Sequence, residues 1–219
     1  MSDNLMELLA ASLGETLYMV VVAIAIACLL GIPLGIILTI TRKDHILPNA
    51  PVHNILGAIV NAIRSVPFII LMVAIIPFTR LVVGSSIGTT AAIVPLTITC
   101  APFVARIIES SMLEIDPGVI EMAQSMGASP WQIIWKVMLP ESLHSIFLGI
   151  TLALISLIGA SAMAGALGGG GLGDLAIRYG YQRREPAKMW VAAVLLIVLV
   201  QVVQTVFSRV SNRIDKRLK

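Results

Sequence analysis

Along this chain, apolar and polar positions come in long blocks, not in residue-by-residue alternation. Five charge-free windows are long enough to cross roughly 30 Å of hydrocarbon as helices. They run from about 16 to 41, 58 to 79, 81 to 105, 142 to 173 and 189 to 208, the second interrupted near its start by Arg64. Each predicts a transmembrane helix, and the single residue between the second and third predicts a tight hairpin. None of the five windows contains Asp or Glu. Composition agrees, with 58% hydrophobic residues, 12% charged and a mean hydropathy of +0.96. Such values exclude an ordinary soluble domain. The expected fold class is an all-α membrane protein with five transmembrane helices.

Charge fixes the expected orientation, because Lys and Arg gather in cytoplasmic segments. With the N-terminus outside, Arg42, Lys43, Arg64, Arg106, Lys136, Arg209, Arg213, Lys216, Arg217 and Lys219 fall inside, and Arg80, Arg178, Arg183, Arg184 and Lys188 fall outside. That imbalance predicts N-out/C-in. The N-terminus carries Asp3, Glu7 and Glu15 without a basic residue, which is unlike a cleaved signal peptide, so the first span is expected to stay. Cys28 and Cys100 lie in spans without metal-ligand spacing and read as small buried apolar residues. His45, His53 and His144 likewise form no metal motif, and no catalytic or metal residue is expected.

The polar interval from about 106 to 140 carries the most information. Asp116 and Pro117 form an N-cap and first-turn pair. The helix they open has Val119, Met122, Ala123 and Met126 at helical spacing, with Glu121, Gln124 and Ser125 between them. Gly127 supplies a left-handed stop. Ser129, Pro130 and Gln132 then form a capping box for a second short helix, which Leu139 and Pro140 end as they open the fourth span. The predicted loop is a cytoplasmic helix-turn-helix. Its apolar face has to be covered by something, and the lack of a basic residue between Arg106 and Lys136 favours a protein partner over lipid.

The run EMAQSMGASPWQIIWKVMLP resembles the coupling signature of binding-protein-dependent, type I ABC importer permeases, through Glu121, Ala123, Gly127, Leu139 and Pro140. Met122 stands where that pattern usually has Ala, and Val137 where it usually has Ile. The resemblance extends over about residues 12 to 206. Within the family, RSVPFIIL from Arg64, IPFTR from Ile76, APFVAR from Ala101 and GGGGLGDLAIRYGY from Gly168 look most like the permeases of bacterial methionine importers. The resemblance implies an inner-membrane, multi-pass homodimer importing methionine in its L and D forms. It further implies two cytoplasmic ATPase subunits that hold ATP and Mg, and an extracytoplasmic methionine-binding protein. Glu121, Met122, Ala123, Gly127, Leu139 and Pro140 would then dock the ATPase. Transport of another small amino acid or a methionine analogue is an alternative, as is a passive channel or membrane scaffold.

Two negative observations agree with an external energy source. The windows lack the membrane-depth carboxylates typical of ion-coupled transporters, and the chain has no Gly-Lys pair for a phosphate loop. This chain is therefore expected to have no cofactor, no enzyme activity and no nucleic-acid partner. GGGGLG from Gly168 formally matches a dinucleotide fingerprint, but it follows an apolar span and lacks the strand that such a fingerprint needs. It reads instead as a packed helix end or gate hinge. Ser156, Ser161 and Met163 are candidates for lining a pathway. Arg64 and Pro67 are candidates for a gate. Arg178, Arg183 and Arg184 would either anchor the chain at the lipid interface or dock the binding protein. Pro33, Pro67, Pro77, Pro95 and Pro102 are expected to kink the spans.

Overall fold

The structure, a computed structural model, describes residues 2–214, and side chains from residue 5 to residue 211. Lys216, Arg217 and Lys219 of the orientation count lie outside the described residues, as do the side chains of Asp3 and Arg213. Among the described residues every regular element is helical: α1 (Ser2–Ile40), α2 (Ala50–Ser65), α3 (Phe68–Ala74), α4 (Ile76–Val83), α5 (Thr89–Leu113), α6 (Pro117–Ser125), α7 (Pro130–Ile133), α8 (Leu139–Ala164), α9 (Gly171–Leu175) and α10 (Pro186–Ile214). Wider π-type turns cover Ile134–Met138, Gly165–Gly169 and Ala176–Gln182. Four helical stretches are long and apolar enough to cross a membrane, namely Leu5–Ile40, Thr89–Leu113, Pro130–Gly169 and Pro186–Ser211. The bent pair α2 and α3 makes a fifth.

Helices α1 and α5 form the spine. Their close approach is written in small residues four apart: a Cβ on Gly31 would come 2.6 Å from the Ala101 carbonyl oxygen, and one on Gly35 would come 2.5 Å from that of Ala105. With no side chain between them, the two backbones touch, and membrane helices associate through that kind of packing because lipid offers no hydrophobic drive. Met19, Leu96, Ile108, Met112, Met138 and Leu157 fill the core between α1, α5 and α8.

Several expectations need correction. The second window is not one straight span. Val66, extended at φ −85° and ψ 125° as a residue before proline tends to be, breaks the helix, and α3 leaves α2 at 103°. Pro77 opens α4, which runs through Arg80, so the turn into α5 lies at Gly84 to Gly88 and not at Arg80. Pro33, Pro95 and Pro102, in contrast, sit inside continuous helices. Nor do Leu139 and Pro140 end a separate short helix: the capping-box helix passes through Ile134–Met138 directly into α8. The fourth window extends past the end of α8 into a broken segment, where Leu167 and Gly168 leave helical geometry. Finally, α1 begins upstream of Thr16, so Glu7 and Glu15 belong to the first long apolar helix.

Candidate functional site

Three groups of residues carry candidate chemistry. The first is the loop between α5 and α8. Asp116 accepts the Gly118 N–H at 2.8 Å and caps α6. Gly127 takes φ +78°, with nothing within 4 Å of the place a Cβ would occupy. Ser129 and Gln132 close the capping box, with bonds of 3.4 and 2.9 Å. The geometry of α6 divides its apolar residues between two faces. Ala123 is buried, and Val119 and Ile120 pack on the core. Met122 and Met126 point outward, 57% and 74% exposed, so the single apolar face expected from spacing does not form. Beside them Trp131, 68% exposed, lies against Trp135 with ring centroids 5.3 Å apart. Glu121 is exposed, Leu139 is half-buried against the core and Pro140 is exposed. Glu121 and Gln124 share a small cavity with Asp44 and His45 from the α1–α2 connection. Sequence reasoning missed Trp131 and Trp135, although two Trp four residues apart in a polar loop were a usable signal.

The second group lies around Arg64 in the last turn of α2. Arg64 and Ser156 line one cavity of about 260 Å³ together with Leu96, Thr99, Cys100, Phe103 and Leu157. The guanidinium sits 5.7 Å from the centre of the Phe103 ring, within cation–π range. The other pathway candidates are not brought to this cavity. Ser161 is buried and donates to the Ile158 carbonyl at 2.7 Å, whereas Met163 is exposed further along α8. Pro67 is exposed at the bend. Thr99, Cys100 and Phe103 were missed because their window read as uniform span.

The third group closes the opposite end of the bundle. The glycine run adopts positive φ at Gly168, Gly170 and Gly171, which only glycine accepts without strain. The run is pinned from two sides: Gly88 donates to the Gly168 carbonyl at 2.9 Å, and the Gly171 and Leu172 N–H groups donate to Glu15 and Thr16 at 2.6 and 2.9 Å. In the basic segment beyond, Arg178 pairs with Asp174 at 3.1 Å and Lys188 with Glu185 at 2.6 Å. Arg183 and Lys188 both lie over the Tyr179 ring, at 4.5 and 4.9 Å. Arg184 is exposed, outside these pairs, at φ +59°. No group of three or more His, Cys, Asp or Glu able to hold a metal occurs among the described residues. Cys100 is buried and Cys28 half-buried.

A bundle of long apolar helices with a polar helical loop at one end defines a multi-pass membrane protein. Comparison with known families makes the class specific. The chain belongs to the family described as binding-protein-dependent transport system inner membrane component, which matches residues 31–219. It is accordingly a multi-pass inner-membrane protein. It is 56% identical to the probable D-methionine transport system permease protein MetI of Vibrio cholerae serotype O1, over 96% of this chain and 94% of that one. It is 49% identical to the D-methionine transport system permease protein MetI of Escherichia coli K12, over 75% and 76% of the two chains. A native crystal form of the MetNI methionine ABC transporter in an inward-facing conformation matches with a TM-score of 0.97 at 45% identity, covering 99% of this chain and 100% of that one. A crystal structure of an amino acid ABC transporter with histidines shares the fold at 21% identity, with a TM-score of 0.79 over 95% and 94% of the two chains.

Proposed function

We propose that this chain is the membrane-spanning permease subunit of an ATP-driven methionine importer. The observation that carries the reading is end-to-end likeness to methionine transport permeases in both sequence and fold. The chain sits N-out/C-in, pairs with a second copy, and works with two cytoplasmic ATPase subunits that hold ATP and Mg and with an extracytoplasmic methionine-binding protein. Its permease domain covers residues 12 to 206, with lipid around the bundle.

In this reading the α5–α8 loop is the coupling element. Met122, Met126 and Trp131 offer an apolar surface that their own chain leaves uncovered, and such a surface suits a protein groove. Glu121 gives the surface a charged edge. Ala123, buried beneath it, and Leu139, packed on the core at the entry to α8, connect it to the bundle. Gly127 lets the chain turn sharply between the two helical pieces, so motion of the ATPase passes as a rigid push into α5 and α8. Arg64, Pro67, Ser156, Ser161 and Met163 belong to the pathway and its gates, Ser161 through helix packing. Arg178, Arg183 and Arg184 face the binding protein, with Arg184 freest to meet an acidic partner.

The docking role is tested by changing Met122 and Met126 together to Glu. The expected result is a chain that still inserts in the membrane but no longer co-purifies with its ATPase. Undiminished co-purification contradicts the coupling assignment.

A further inference from the structure

A further cavity of about 390 Å³ is an open groove on the side of the bundle, between α1, α8 and α10. Successive turns of α8 (Ile150, Leu154, Ile158) and of α10 (Leu199, Val203, Phe207) form two walls, and α1 supplies the third from Leu17 to Cys28. Every lining residue is aliphatic or aromatic except Cys28, and a free cysteine behaves as a small apolar group. At 1.5 Å per residue the groove runs about 12 Å along α8 and α10 and about 17 Å along α1. That is close to half of the roughly 30 Å of membrane hydrocarbon. One turn past Phe207 the lining turns polar: the buried Ser211 hydroxyl meets the His144 ring at 3.2 Å and ties α10 to α8.

The shape of the groove selects its occupant. Spread over its length, the volume leaves a cross-section of roughly 20–35 Å², against roughly 80 Å² for a helix about 10 Å across. A second helix is too wide for this slot, and a single hydrocarbon chain is not. The charge beside it points the same way. Starting two residues past Phe207, Arg209, Arg213, Lys216, Arg217 and Lys219 place five basic residues against one acidic residue, Asp215. Arg209, whose side chain is among those described, is exposed and makes no ion pair with a described residue. A basic cluster directly after a membrane span on the cytoplasmic side attracts anionic headgroups.

We infer that one anionic phospholipid of the cytoplasmic leaflet binds here, with an acyl chain in the groove and its phosphate among the basic residues that follow α10's last apolar turn. The inference rests on the N-out/C-in orientation proposed above. Helices α1 and α10 both pack on α8, and the lipid chain joins their free flanks.

The test is native mass spectrometry of the complete transporter, purified in detergent with equal amounts of anionic phosphatidylglycerol and zwitterionic phosphatidylethanolamine. Phosphatidylglycerol is expected to be retained about tenfold over the other lipid. Changing Arg209, Arg213, Lys216 and Arg217 together to Gln should bring the two close to parity, since each basic residue near the surface adds to the attraction. Ala25→Trp and Val203→Trp fill the groove from opposite walls, and each should lower retained lipid about fivefold or more. Val202→Trp, on the exposed face beside it, should not. Either filled variant serves if the other fails to assemble. Equal retention of the two lipids by the parent, an unchanged preference in the Gln variant, or full retention in a filled variant overturns the site. So does separation of two copies of the chain by a filled variant that still inserts, which makes the groove a contact between copies. The orientation is checked apart from the lipid, with an impermeant thiol reagent and Asn212→Cys in a chain carrying Cys28→Ser and Cys100→Ser. Labelling from outside spheroplasts reverses the orientation, and the cytoplasmic-leaflet site falls with it.

Discussion

The Glu15 carboxylate accepts the backbone N–H of Gly171 at 2.6 Å, joining residues 156 positions apart in sequence. Next to it, Thr16 accepts the Leu172 N–H while donating to the Ser12 carbonyl. The two bonds hold the start of α9 against α1. Without them the N–H groups at this helix start would face a largely apolar bundle, where an unpaired donor is costly.

Replacing Glu15 with Ala should therefore destabilise the protein by about 1 kcal/mol, below the usual range for a bond to a charged acceptor because this carboxylate is exposed. Glu15→Gln, which keeps an acceptor oxygen, should lose less. Thermal unfolding in detergent distinguishes them, and identical midpoints for Ala and wild type would remove the clamp from the account.

A second ion-bearing cluster ties α2 to α5. Arg106 bonds Glu109, the Gly57 carbonyl at 3.2 Å and the Asn61 side chain at 2.9 Å. Glu109 is buried. Arg106→Gln should cost about 3–5 kcal/mol, because it strands a buried carboxylate. The double change Arg106→Gln with Glu109→Gln should recover a large part of that loss. If the double variant is as unstable as the sum of the two single ones, the cost comes from packing and not from the stranded charge.

His45, in the α1–α2 connection, titrates below the usual histidine value of 6.5, through burial first and the positive charge of Arg42 second. Its Nδ1 accepts the Ile46 N–H at 3.0 Å, which also requires the neutral ring. The unfolded chain binds this proton more readily, so the contribution to stability is complete above about pH 6.5 and is lost as pH falls through the lowered folded value. Unfolding midpoints measured from pH 7.5 down to 5.5 should drop less steeply for His45→Gln than for the wild type. Parallel slopes would assign the pH dependence elsewhere.

The sequence was most legible where one local interaction decides the backbone. Asp116, Gly127 and the Ser129–Gln132 box could be placed before the structure, since caps and left-handed stops depend on a few neighbouring atoms. The long apolar helices were legible for a related reason: spanning hydrocarbon demands length and apolarity together. Direction was harder to read. Hydropathy treats Ala58 to Thr79 as one window, yet Val66 and Pro67 turn the chain by 103°. The resemblance to RSVPFIIL marked the place without showing the bend. Tertiary partners were not legible at all. Glu15 appeared to end a charge-free window, and only the folded chain shows that it reaches Gly171. Met122 and Ala123 looked like one stripe until the packing of α6 turned Ala123 inward and Met122 outward. Arg64 and Ser156 were separately suspected, but Thr99 and Phe103, which complete their cavity, carry no signal in an apolar run.

The central claim is that this chain conducts methionine under ATP control. Its most direct test is uptake of labelled L-methionine into proteoliposomes holding the chain with its ATPase and binding protein, with and without ATP. The account predicts uptake that requires ATP and disappears under excess unlabelled methionine. Uptake that proceeds equally without ATP, or none in a complex that hydrolyses ATP, would contradict it.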